Sequence, residues 1–158
     1  MNIIAIDPGT IESAYVELDN GNLLSFGKVP NEKIIEEVLD ESQLSDFVAI
    51  EMIASYGMAV GKEVFETCVW IGRFSLAAEW SMNRKPNLVY RREVKIHFCN
   101  SMKAKDGNIR QAIIDRYGGK DKAIGKKNTP GPLYGIKDDI WQALAIALLV
   151  QDQLEATK

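Results

Sequence analysis

A chain of 158 residues, 46% hydrophobic and 26% charged, has room for one domain with a substantial core, and residues 1–158 read as a single domain. One histidine excludes a His-based triad or a His-rich metal site, and two cysteines without CxxC or Cys/His spacing argue against zinc, so any chemistry must rest on carboxylates. The net charge of −3 hides a segregation: residues 83–137 hold 14 of the 19 lysines and arginines against four acids, a local +10 beside −13 elsewhere, which points to a polyanionic partner.

The chain opens on Asn2-Ile3-Ile4-Ala5-Ile6-Asp7, a short buried strand that ends in a carboxylate, followed by a tight turn at Pro8-Gly9. Asp7 either caps that turn or points into a cleft at the strand end, where a lone buried acid needs a cationic partner. Residues 12–18 alternate as a second strand, Asn20-Gly21 marks a hairpin, and 23–29 form the return strand. Pro30-Asn31 opens a helix over 32–39. Phe47-Val48-Ala49-Ile50-Glu51 is another apolar strand ending in an acid. The right-handed crossover rule sets it parallel to the first strand, with both carboxylates at one end of the sheet. Two such acids repel, and a divalent metal resolves the conflict.

Residues 62–83 form a long helix that is apolar nearly all round, with Phe65, Trp70 and Phe74 left for a second covering surface. This predicts a homodimer through that helix, with Gly72 allowing close approach. A strand at 87–90, a helix at 91–100, a basic loop at 101–106 and a helix at 108–117 follow. Residues 118–135, rich in glycine and lysine, read as a flexible basic loop too polar for the core. The last helix begins at Lys137-Asp138-Asp139 and presents an apolar face to the sheet. Asp138 suits an N-cap, worth about 1 kcal/mol, and Asp139 suits the helix dipole. The sequence has no basic-then-apolar leader pattern, and its longest apolar run, 143–150, is too short to span a bilayer. A soluble, cytoplasmic protein without a membrane partner is expected.

In order along the chain, Ile4-Ala5-Ile6-Asp7-Pro8-Gly9, Val48-Ala49-Ile50-Glu51 and the Asp-rich turn before Ala143-Leu144-Ala145 resemble the RuvC family of Holliday junction resolvases. Arg92-Glu93-Val94-Lys95 and Lys103-Ala104-Lys105 resemble that family's basic segment. The runs 51–58 and 131–135 resemble its phage-encoded group, whose place of action is the host cytoplasm. The resemblance covers essentially the whole chain. It implies an α/β, ribonuclease H-like fold: a five-stranded mixed sheet in order 3-2-1-4-5, flanked by helices. It implies a homodimer that resolves four-way and other branched DNA by paired nicks, using two Mg²⁺ ions per site, with Mn²⁺ able to substitute. No docking site for a branch-migration motor is evident.

Carried over by position, Asp7 and Glu51 match the first two catalytic acids. The family's last motif, an acid or His, two residues and then an Asp directly before Ala-Leu-Ala, meets Asp139 in its first slot and Gln142 in its second. Asp138 is the remaining candidate for the missing acid. Ala54 stands where the family has an aromatic wedge, so that either Tyr56 or Met58 takes that part or the wedge is absent. Arg92, Lys95, Lys103, Lys105 and Arg110 are the expected DNA contacts. The expected reaction is metal-dependent phosphodiester hydrolysis to a 5′ phosphate and a 3′ hydroxyl. Two other readings remain: a junction-binding protein without activity, suggested by Gln142, and a fragment of an actin-like ATPase, whose phosphate loop also reads Asp-x-Gly-Thr.

Overall fold

The protein is described by a computed structural model covering residues 1–40 and 45–157. Its centre is β1 (Asn2–Asp7), which pairs with β2 (Glu12–Asp19) on one side and β4 (Phe47–Met52) on the other. β3 (Asn22–Pro30) extends the sheet beyond β2, and β5 (Asn87–Tyr90) beyond β4. The order β3-β2-β1-β4-β5 is the expected one, with β1, β4 and β5 parallel and the hairpins antiparallel. Asn20 and Gly21 turn the β2–β3 hairpin with φ of 48° and 81°, the mirror-image turn that suits strand twist.

Successive side chains of a strand point to opposite faces, and β1 shows what that does. Ile3 and Ala5 face one layer, together with Ala14, Val16, Ala49 and Val89. Ile4 and Ile6 face the other, with Val48 and Ile50. The first layer is covered by α6 (Ile140–Ala156), itself backed by α3 (Arg91–Cys99) and α4 (Asp106–Arg116). Being sandwiched, α6 is buried over almost its whole length rather than on one face. Asp152 fastens these helices: Arg116 donates to it twice, at 2.6 and 2.7 Å, and His97 Nε2 lies 2.7 Å away.

The second layer is covered by α2 (Lys62–Met82) and by the segment after β3. That segment is a single turn, α1 (Asn31–Lys33), running into a π-helical turn at Ile34–Val38 rather than an even helix. The wider turn seats Ile34 and Val38 together in the core. Within α2, Thr67, Ile71, Phe74 and Ala78 are the buried residues. The expectation that Phe74 lies on the outward face is therefore corrected: it is fully enclosed in the core. Trp70 packs against it at 5.7 Å between centroids, and the Arg73 guanidinium covers the Trp70 ring at 3.9 Å.

Residues 118–135 are also not the open loop their composition suggests. They form α5 (Lys120–Ala123) and a small hairpin of β6 (Gly125–Lys126) and β7 (Thr129–Pro130). Two apolar residues outweigh the polar ones: Ala123 and Leu133 are both fully buried, and the Leu133 N–H donates to the Ala123 carbonyl at 2.8 Å. Gly131 is required there, because a Cβ would lie 2.2 Å from the Lys122 carbonyl oxygen.

The turn after β1 is held by a buried polar relay. The Ser13 hydroxyl donates to Asn31 Oδ1 at 2.6 Å, Asn31 Nδ2 donates to the Gly9 carbonyl at 3.0 Å, and the Gly9 N–H donates to Ser13 Oγ at 3.1 Å. Ser13 and Asn31 are 1% and 0% exposed, so neither has water as an alternative partner. Asn31→Ala leaves two buried groups unsatisfied and should cost about 2–3 kcal/mol in urea unfolding. A loss below about 0.5 kcal/mol would mean the relay does not hold the turn.

Candidate active site

Strand alternation and register build the site. Ala5 and Ala49 face α6, so Asp7 and Glu51, two residues further on, face it as well. Ile6 is paired with Ile50 across the parallel β1–β4 ladder, which sets Asp7 beside Glu51 at the shared strand end. The two carboxyls share a hydrogen bond. Burial, then that bond, then the charges of Glu51 and Asp139 push the Asp7 carboxyl up to about 9, with Arg91 opposing. At neutral pH this acid holds its proton unless a cation takes the proton's place.

Asp139 reaches the site from the start of α6. It belongs electrostatically to the cluster, but its Oδ2 accepts a hydrogen bond from Lys28 Nζ at 2.6 Å. Lys28 sits opposite Ala14 in the β2–β3 ladder, on the same α6 face as Asp7. Gln142 holds a different partner: its Oε1 accepts from Arg91 Nη1, while Arg91 Nη2 donates to Asp106 Oδ1. Arg91 Nη1 is also 3.9 Å from Glu51 Oε1. Asp138 is not the N-cap. Its backbone is left-handed, with φ of 47°, its side chain is exposed, and Asp139 precedes the first helical residue, though without a side-chain capping bond. Asp138 lies on the rim of a cavity of about 390 Å³ that Asp139, Gln142, Arg110 and Asp106 also line.

The donor set is entirely oxygen, and the Asp7–Glu51 pair suits a hard divalent cation, which would remove the repulsion that keeps Asp7 protonated. Among the described residues no group of three His, Cys, Asp or Glu side chains is gathered closely enough to hold a metal. Asp139 would have to leave Lys28 to become the third ligand.

The expected DNA contacts fall into two groups. Tyr56, Arg92 and Lys95 line one cavity of about 160 Å³ together with Arg91 and Met102. Tyr56 is 56% exposed. Arg110 lies 4.8 Å over the Trp141 ring and lines the cavity that Asp139 and Gln142 share. Lys103 and Lys105 are exposed on the turn into α4, where the Lys105 N–H donates to Asn108 Oδ1 at 2.9 Å. Arg91 and Lys28 escape a reading of the sequence. Arg91 is the first residue of α3, directly after β5, and its bond to Gln142 is what brings it to the start of α6.

The sheet order, its strand directions and the flanking helices are those of the RuvC, ribonuclease H-like fold. No protein-family model and no curated protein sequence matches the chain. Among solved structures it is similar to RuvC from Thermus thermophilus, with a TM-score of 0.75 at 16% identity over 99% of this chain and 97% of that one. T. thermophilus RuvC in complex with a Holliday junction substrate aligns with a TM-score of 0.72, again at 16% identity, over 99% and 96% of the two chains. The likeness is one of fold. No helix among the described residues is long and apolar enough to cross a membrane.

Proposed function

We propose that this protein is a divalent-metal-dependent endonuclease that resolves four-way DNA junctions by paired nicks. The observation that carries the reading is the convergence of Asp7 and Glu51 from adjoining parallel strands, facing Asp139, in a chain that shares the RuvC fold along its whole length. The basic segment supports a nucleic-acid substrate, and the neighbour bound to a Holliday junction supports a branched one.

Asp7 and Glu51 would hold a divalent cation such as Mg²⁺ or Mn²⁺, with Asp139 completing the set once Lys28 lets go. Bound there, such a cation supplies acidification of a water and neutralisation of phosphate charge. Tyr56, Arg92 and Lys95, which share a cavity with Arg91, and Arg110, which shares one with Asp139, would seat the strand. In the reaction, water adds to phosphorus, the P–O3′ bond breaks, and the 3′ oxygen leaves as a hydroxyl while the phosphate stays on the 5′ end. Tyr56, exposed on the rim of the cavity it shares with Arg91, would stack on a base at the branch point.

The reading includes a homodimer. Phe65, Val69, Leu76 and Trp80 are 63%, 63%, 51% and 74% exposed. Their spacing of four, seven and four residues draws one stripe along α2, and Gly72 in its middle has open space where a Cβ would stand. A two-fold axis along this stripe would cover it and provide the two sites that two nicks require.

The experiment is incubation of a labelled four-way junction with the purified protein, with and without Mg²⁺. Cleavage that needs the ion is expected. Binding without cleavage would favour a junction-binding protein, a reading the Lys28–Asp139 and Arg91–Gln142 bonds would then explain. Neutralising Lys103 and Lys105 together should weaken binding and lower the slope of log affinity against log salt by roughly 2. An unchanged slope would place those lysines away from DNA.

A further inference from the structure

Arg91 opens α3 directly after β5, at the same end of the sheet as Glu51, and it is held from three sides. Gln142 and Asp106 each accept from one terminal nitrogen, and Glu51 lies 3.9 Å away. The Arg91 side chain is 24% exposed, against 69% for Asp106, so the arginine is enclosed while its one directly hydrogen-bonded acid stands in water. Gln142 matters by being neutral: an amide oxygen orients the guanidinium without cancelling its charge. An arginine does not give up its proton in this range, so a permanent positive charge stands beside Glu51 and within electrostatic reach of Asp7. On the other flank Lys28 sets a second positive charge on Asp139. Four carboxylates, Asp7, Glu51, Asp139 and Asp106, with two resident cations, Arg91 and Lys28, leave a charge of −2, which one divalent ion balances. A second ion beside the guanidinium would be repelled by it.

We infer that Arg91 is a catalytic residue of this nuclease: its guanidinium takes the part of a second cation, contacting a non-bridging oxygen of the scissile phosphate, so that the site works with a single divalent ion on Asp7 and Glu51. The inference rests on the nuclease reading above. The planar fork suits two phosphate oxygens, and one edge of it lines the cavity shared with Tyr56, Arg92 and Lys95. The site thus departs from the two-ion arrangement that the sequence resemblance implies.

The test has two readouts. Mn²⁺ titrated into the wild-type protein without DNA, followed by calorimetry and electron paramagnetic resonance, should give one ion per chain with no spin-coupled pair. Two ions per chain would overturn the inference and leave the nuclease reading standing. No binding would overturn both. In Arg91→Met, Mn²⁺ should bind about tenfold more tightly, because a like charge has gone. Its turnover on the junction should fall about 100-fold or more, the loss expected of one transition-state donor, with KM little changed. Arg91→Lys, which keeps the charge and loses the fork, should restore wild-type Mn²⁺ affinity and part of the turnover. If Arg91 only ties β5 to α6, Arg91→Met will lower the melting temperature without tightening Mn²⁺, and that result would rule the inference out.

Discussion

Asp7→Asn should abolish junction nicking and at the same time stabilise the metal-free protein. The two effects have one cause. In the folded chain the Asp7 carboxyl keeps its proton up to about pH 9, whereas its ordinary value is 3.8. Between those limits the folded state binds a proton that the unfolded state has released. Stability therefore falls as pH rises from about 4 to about 9, by linkage. At pH 7 the strain amounts to roughly 2–4 kcal/mol, and an amide, which has no proton to lose, removes it. The metal-free wild type should melt at progressively lower temperature across that range, and Asp7→Asn should melt higher with a flatter profile. Mg²⁺ should raise the wild-type melting temperature at pH 8 and leave the variant unmoved, because ligand binding stabilises only the form that holds it. Junction binding should persist or strengthen, since a negative charge facing phosphate has gone. Glu51→Gln should likewise abolish nicking. Normal nicking by either variant, or a destabilised Asp7→Asn with an unchanged pH profile, would remove the buried acid pair from the centre of the account.

Leu76→Glu should convert a dimer into monomers that nick poorly. The α2 stripe exposes four large apolar side chains, and covering each is worth about 1.5–3 kcal/mol. A contiguous stripe of this kind on a monomer would be an aggregation site. Leu76 is 51% exposed and in no core cluster, so the substitution leaves the fold intact and tests only the surface. Sedimentation of the wild type at micromolar concentration should give about twice the chain mass of 17.6 kDa, and Leu76→Glu about that mass itself. Phe74→Glu is uninformative here, because Phe74 is a core residue and its loss would unfold the chain. A monomeric wild type with full resolving activity would rule the dimer out.

The sheet and the two strand-end acids were legible because both depend on short-range signals. Apolar runs of strand length, a carboxylate closing each, and the crossover rule between them suffice to bring Asp7 next to Glu51. The face of α2 was not legible. A helix apolar nearly all round has no unique phase, and the choice of Thr67, Ile71, Phe74 and Ala78 as the inward set is made by how the chain leaves β4. The segment 118–135 misleads for another reason: its composition is that of a loop, yet two buried residues, Ala123 and Leu133, are enough to anchor it. Lys28 reaching Asp139 and Arg91 reaching Gln142 join residues far apart in the chain, where no spacing rule applies. Asp138 was misread because capping preference is a local rule, and the left-handed turn there moved the helix start by one residue.

The most direct measurement is ligation of the products. The protein is incubated with a four-way junction and Mg²⁺, and the nicked duplexes are passed to a DNA ligase that requires a 5′ phosphate and a 3′ hydroxyl. The account expects two nicks placed symmetrically on opposing strands, sealed in full by the ligase without prior end repair. Uncut junctions, or cut products that the ligase cannot seal, would contradict it.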